Sequence, residues 1–363
     1  MVGPFLKGLA LSELFYTEAV RPLVERCFPG LPYSAGLLGP GSDVLGFDTL
    51  QSMDHDWGPR LLLFLSEGEY ALHGKELDDA LRSELPRQVH GYPTNFSRHP
   101  DGTRVMQVIE DGPVDHWVSV YTVRSFFEPL GVDPEFELRA VDWLTIPEQV
   151  LCSLTAGRVF HDGLGQLEAV RARLSYYPQD VWLYLLANQW QRISQEEPFP
   201  GRCGQVGDDL GACLVAARLV RDLMKLCFLM EKQYAPYLKW FGSAFRQLAC
   251  AKALAPVLEG VLRATTWQMR EKHLALAYSQ AARMHNHLRI TAPLSTRASH
   301  FHSRPFRVIQ AGDFTRAIHA VITNPEVRVL PANLGGVDQF IDSTVVLSEP
   351  NWYGAFRSLY LDD

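Results

Sequence analysis

The sequence has no Cys-x-x-Cys pair, no apolar run of membrane length and no surplus of basic charge, and each absence removes a class of function. Six cysteines stand at 27, 152, 203, 213, 227 and 250, mostly within apolar helical patterns. They are expected as reduced, partly buried thiols rather than disulfides or zinc ligands. No stretch approaches the roughly 20 apolar residues of a membrane span. Glu13, Glu18 and Glu25 interrupt what would be the core of a signal peptide. A cytoplasmic protein with no membrane partner is expected. The formal net charge of −7 argues against bulk DNA binding, because coating phosphates needs a net basic surface. It leaves room for a local basic cleft around one nucleotide. Neither an internal repeat nor a low-complexity stretch is found.

What is present looks like an ordinary globular chain of 363 residues, 47% of them hydrophobic, long enough for two or three domains. Apolar residues recur at helical spacing from Leu6 to Cys27, and Pro29-Gly30-Leu31-Pro32 ends that helix. Residues 34–38, the apolar end of 53–65, 104–109 and 116–123 read as strands, and 69–83 as a helix. Beyond about residue 145 helices dominate, at roughly 147–155, 164–174, 178–194, 208–233, 235–253, 254–270 and 272–289. The expected class is α+β. Residues 1–145 form a small α/β domain with a mixed sheet, 146–290 a helical bundle, and 291–363 a mixed C-terminal segment without an assigned role.

Chemistry concentrates in residues 37–60. A strand meets the turn Gly39-Pro40-Gly41-Ser42, and twelve positions after Ser42 come Asp54 and Asp56. On a strand, residues two apart share a face, so the two carboxylates are expected to converge while His55 points away. Two hard oxygen ligands suit Mg²⁺ or Mn²⁺, which takes one or two carboxylates together with phosphates and waters. Gly41 and Ser42 bring backbone amides and a hydroxyl close to a phosphate with no Cβ in the way at the glycine. These are parts for metal-assisted nucleotidyl transfer.

The order strand, Gly-Ser turn, spacer and Asp-x-Asp resembles the signature of the polymerase-beta-like nucleotidyltransferase superfamily. The words Leu31-Pro32-Tyr33-Ser34, Gly46-Phe47-Asp48 and Asp54-His55-Asp56-Trp57-Gly58-Pro59-Arg60 are similar to a bacterial subgroup known only as a domain of unknown function. The likeness runs over about 5–65 and 140–250. It implies a nucleotidyltransferase domain joined to a helical domain, as in aminoglycoside nucleotidyltransferases. It also implies a nucleoside triphosphate substrate, ATP being the expected one, and a hydroxyl acceptor that is a small molecule, a protein or an RNA end. Such enzymes usually carry a third carboxylate on a following strand. Here the strand at 116–123 offers Ser119 in its interior, and Asp115 at its start is the nearest acid.

Two further segments are candidates for the nucleotide. The helix through 212–230 carries Arg218, Arg221, Asp222 and Lys225 along one stripe. That stripe is either an ordinary solvated face or the wall of an inter-domain cleft that meets the triphosphate. Lys239, among Tyr234, Tyr237 and Trp240, is a stacking or phosphate-contacting residue or part of a helix start packed on the core. His285/His287 and His300/His302 lack a Cys or acid to complete a zinc set. Without a third acid the alternatives are a catalytically impaired nucleotide-binding or regulatory protein, or an antitoxin-like module that docks a partner on the same fold.

Overall fold

Short apolar segments far apart in the sequence pair into one mixed sheet. The computed structural model describes residues 5–361. Its strands include β1 (Tyr33–Leu37), β2 (Arg60–Leu65), a small hairpin of β3 (Phe96–Arg98) and β4 (Arg104–Met106), then β5 (Trp117–Thr122) and β6 (Arg158–Asp162). The main sheet has the order β5-β2-β1-β6. β2 runs parallel to β5 and antiparallel to β1, and β1 runs antiparallel to β6. The expected α+β class with a mixed sheet is what the chain adopts.

The sheet has helices on it because its residues alternate. On β2, Leu61, Leu63 and Leu65 face a core shared with Phe15, Leu23, Leu77 and Leu81. Phe64 points the other way, against Tyr121 and Phe126. The helical partners are α1 (Gly8–Phe15), α2 (Arg21–Cys27) and α3 (Glu67–Glu84). Each fully buried leucine contributes roughly 1.5–3 kcal/mol. The helix expected over 6–27 is present from Gly8, with a π turn at Tyr16–Val20. There the Arg21 amide donates to Tyr16, five residues back, just ahead of Pro22, which has no amide hydrogen.

The chain divides into two compact units. The sheet unit takes residues up to Leu138 together with Val150–Ser175; the helical unit takes Arg139–Gln149 and everything from Tyr176 on. These limits differ from boundaries at 145 and 290: β6, where the sequence suggests no strand, returns residues 150–175 to the sheet unit, and the segment beyond 290 belongs with the helices. The helical unit is built on α4 (Gln179–Glu196), α5 (Asp209–Met230), α6 (Trp267–Leu288) and α7 (Ala311–His319). Trp190 of α4 stacks on Phe314 of α7 at 4.2 Å, so the C-terminal segment contributes to this core. The stretch 235–253 is not one helix; it breaks between Leu238–Phe245 and Ala251–Arg263. Among the described residues no helix is long and apolar enough to cross a membrane.

Candidate active site at one end of the sheet

Register puts the segments that carry the sequence-identified residues of the sheet unit at one end of the sheet. β1 ends at Leu37 beside the start of β2, and Arg60 of β2 pairs with Trp117 of β5. The turn after β1, the Asp54–Asp56 segment before β2 and Asp115 before β5 therefore lie at the same end of the sheet.

The turn is held from inside. Arg60 donates through Nε to Asp43 Oδ2 at 2.8 Å and through Nη2 to Asp43 Oδ1 at 2.6 Å, and also to the Pro40 carbonyl at 3.0 Å. Both side chains of this pair are almost fully buried. Gly41 has φ +145°, and a Cβ there would meet Arg60 Nη2 at 2.2 Å and Asp43 Oδ1 at 2.3 Å. The glycine is thus required by the ion pair beneath it. Asp48 is a second buried anchor, accepting from the Gly8 amide at 2.7 Å and from Trp57 Nε1 at 3.0 Å. Neither anchor is foreseen from sequence, although an arginine opening an apolar strand and an acid directly after the Gly-Ser pair are the visible signals. Above them, the half-buried Gly41 and Ser42 have amides, and Ser42 a hydroxyl, that make no hydrogen bond among the described residues.

Asp54 and Asp56 differ from expectation in backbone. Asp54 is the last residue of a 3₁₀ turn, Leu50–Asp54, and Asp56 is left-handed at φ +47°; β2 begins only at Arg60. Strand alternation therefore does not orient them. The bend is fixed by the hairpin: the Asp56 amide donates to the Arg104 carbonyl at 2.8 Å, and the Arg104 amide donates to Asp56 Oδ1 at 2.9 Å. Aspartate tolerates this conformation better than most residues. Asp54 Oδ1 accepts from the His55 amide at 2.9 Å and lies 2.9 Å from His55 Nδ1. Both aspartates are exposed, and Oδ2 of each makes no hydrogen bond among the described residues.

Ser119 lies opposite Leu62, well inside the sheet, whereas Asp115 precedes the first paired position of β5. The Asp115 carboxylate lies 3.5 Å from Arg82 of α3. Among the described residues no group of three or more His, Cys, Asp or Glu is arranged to hold a metal, so Asp54, Asp56 and Asp115 do not form a three-carboxylate set. His116, next in sequence, is buried, and desolvation holds its imidazole below the usual range, with Asp78 opposing.

The remaining candidates belong to the helical unit and are engaged there. Arg218 pairs with Glu196 at 2.7 Å and Arg221 with Asp342 at 2.6 Å. Lys225 is half-buried and donates to the Asp338 carbonyl; desolvation lowers its pKa despite Asp338. Asp222 accepts from Gln189 and Arg192. Lys239 is exposed, its Nζ 5.3 Å from the Trp240 ring centroid.

Comparison with known proteins gives a family described as a domain of unknown function (DUF4037), which matches residues 143–241. No curated protein matches. Among solved structures, a nucleotidyltransferase-like protein from Exiguobacterium sibiricum 255-15 is 12% identical. That match covers 84% of this chain and 88% of that one, with a TM-score of 0.30. Neither the sheet order nor the site rests on that likeness.

Proposed function

We propose that the sheet unit is a nucleotidyltransferase domain that binds a nucleoside triphosphate with a divalent cation and transfers a nucleoside monophosphate to a hydroxyl. The observation that carries this reading is the pairing of unspent donors and acceptors at one sheet end. The free amides of Gly41 and Ser42 and the Ser42 hydroxyl are suited to phosphate oxygens. The free Oδ2 atoms of Asp54 and Asp56 fit a cation that takes its other ligands from phosphate and water. Mg²⁺ or Mn²⁺ held there would neutralise charge on the triphosphate.

In this proposal the acceptor oxygen bonds to the α-phosphorus as the bond to pyrophosphate breaks, its electron pair leaving with pyrophosphate. Asp115, half-exposed and only loosely held by Arg82, receives the hydroxyl proton. Arg60 and Asp43 keep the turn in shape and touch no substrate. ATP is the proposed donor. Calorimetric titration with ATP tests the site: binding that requires Mg²⁺ and disappears in Asp54→Asn/Asp56→Asn supports it. Absence of binding at millimolar ATP would sink it. The serine at 119 and the arginine beside Asp115 favour a second reading, a domain that binds nucleotide without transferring it; radiolabelled ATP with candidate hydroxyl acceptors separates the two.

A further inference from the structure

A groove of about 570 Å³ lies along β5, an outer strand of the sheet, between α3 and the β3–β4 hairpin. That volume falls in the usual range for small-ligand sites, about 300–1,000 Å³. Its charged lining is Lys75, Arg82, Arg98 and Arg104 against Asp78. Asp78 is already committed, taking Arg82 Nε at 2.9 Å and lying 3.5 Å from His116 Nε2. His116 adds no positive charge, because its Nδ1 accepts from the Val118 amide and burial disfavours the imidazolium.

The informative feature is the hairpin. Arg98 and Arg104 are directly opposite each other across β3 and β4, which puts two guanidiniums side by side on one face. Like charges in that position destabilise a strand pair. Neither arginine, nor Lys75, makes an ion pair among the described residues, in a chain whose arginines mostly do. Burial and the neighbouring Arg98 both lower the Arg104 pKa. Its guanidinium stacks over Trp117 at 4.9 Å, and its backbone is the element that clamps Asp56. The groove therefore adjoins the Asp54–Asp56 bend through a single residue. Tyr70, 43% exposed, lines the same groove.

We propose that this groove is a second anion site, which holds the phosphate groups of the hydroxyl-bearing acceptor while Arg98 and Arg104 share a phosphate between them. Paired guanidiniums match phosphate oxygens in geometry as well as charge. The acceptor is accordingly a phosphorylated molecule, either a small phosphomonoester or a phosphorylated nucleic-acid end. The word acceptor rests on the transferase reading; the anion site does not.

The test uses the full chain carrying Asp54→Asn/Asp56→Asn, in EDTA, so that only the groove is probed. Ribose 5-phosphate, a 5′-phosphorylated ribotrinucleotide and tetraglutamate are titrated by calorimetry. Binding of either phosphorylated probe, weakened at least tenfold by Arg98→Glu, supports the proposal, and which probe binds more tightly identifies the source. The log–log salt slope of trinucleotide binding should drop by about 0.7 for a lost phosphate contact. Arg98→Glu places opposite charges across the hairpin, so its melting temperature should rise as affinity falls, a split that misfolding does not produce. No binding of either phosphorylated probe, or equal binding of tetraglutamate, overturns the proposal. If the unmutated chain fails to bind ATP while Arg98-dependent trinucleotide binding persists, the transferase reading falls alone. If ATP binds and the phosphorylated probes do not, the groove falls alone.

Discussion

Charges at two places in the molecule are used in opposite ways. On α5 of the helical unit, Arg218, Arg221 and Lys225 form the cationic stripe most visible in the sequence, and each is matched to an acceptor of its own unit. At the end of the sheet, Asp54, Asp56, Arg98 and Arg104 carry charge that the fold leaves partly or wholly unmatched. A row of cations on a helix says little about ligands until its partners are known. Bonding capacity that the folded chain leaves unused is the better guide.

That contrast can be broken by mutation. The largest effect should come from Asp43→Ala, which strands Arg60 in the interior beside the turn. Removing one partner of a buried pair costs about 3–5 kcal/mol, to be measured by denaturant unfolding. A loss below about 1 kcal/mol would mean that the pair is not what holds the turn. Next, Asp54→Asn/Asp56→Asn should leave the melting temperature unchanged and lower nucleotidyl transfer at least about a hundredfold. Transfer that survives in this variant removes the two aspartates from the chemistry.

A smaller effect concerns pH. Burial pushes the Glu197 carboxyl up to about 7, although the Ile309 and Ala311 amides donate to it. A carboxyl raised in the folded chain contributes stability that is whole below its unfolded value, about 4.3, and lost as pH rises to 7. Glu197→Gln should melt lower at pH 5, because one amide loses its acceptor, yet its melting temperature should be flatter between pH 5 and 7.5 than that of the unmutated chain. The smallest effect is expected for Arg218→Ala. That ion pair is solvent-exposed on the arginine side, so its loss should cost about 0–1 kcal/mol in the same denaturant assay.

Local patterns were readable in the sequence because they depend on neighbours. The apolar run at 61–65, the alternation at 117–122 and the Gly39–Ser42 turn correspond to β2, β5 and the loop after β1. What escaped depends on distance. Lys225 finds Asp338 across 113 positions, and no spacing rule reveals that. The exact backbone of Asp54 and Asp56 escaped for a related reason: the hairpin residue Arg104, 48 positions from Asp56, imposes the bend. β6 was missed because only Val159 and Phe160 among its five residues are apolar; Phe160 packs against the core, and the strand forms by completing a sheet edge.

That last strand has a bearing on synthesis. Ser34 on β1 donates to Asp162 on β6 from 128 positions away, with the helical unit's residues 139–149 lying between them in the chain. As the chain leaves the ribosome, the outer side of β1 has no partner until β6 emerges, and it presents open amides and carbonyls to any passing strand. A fragment ending at Leu138 would carry both aspartates and the Gly-Ser turn, yet would keep that seam open throughout its lifetime.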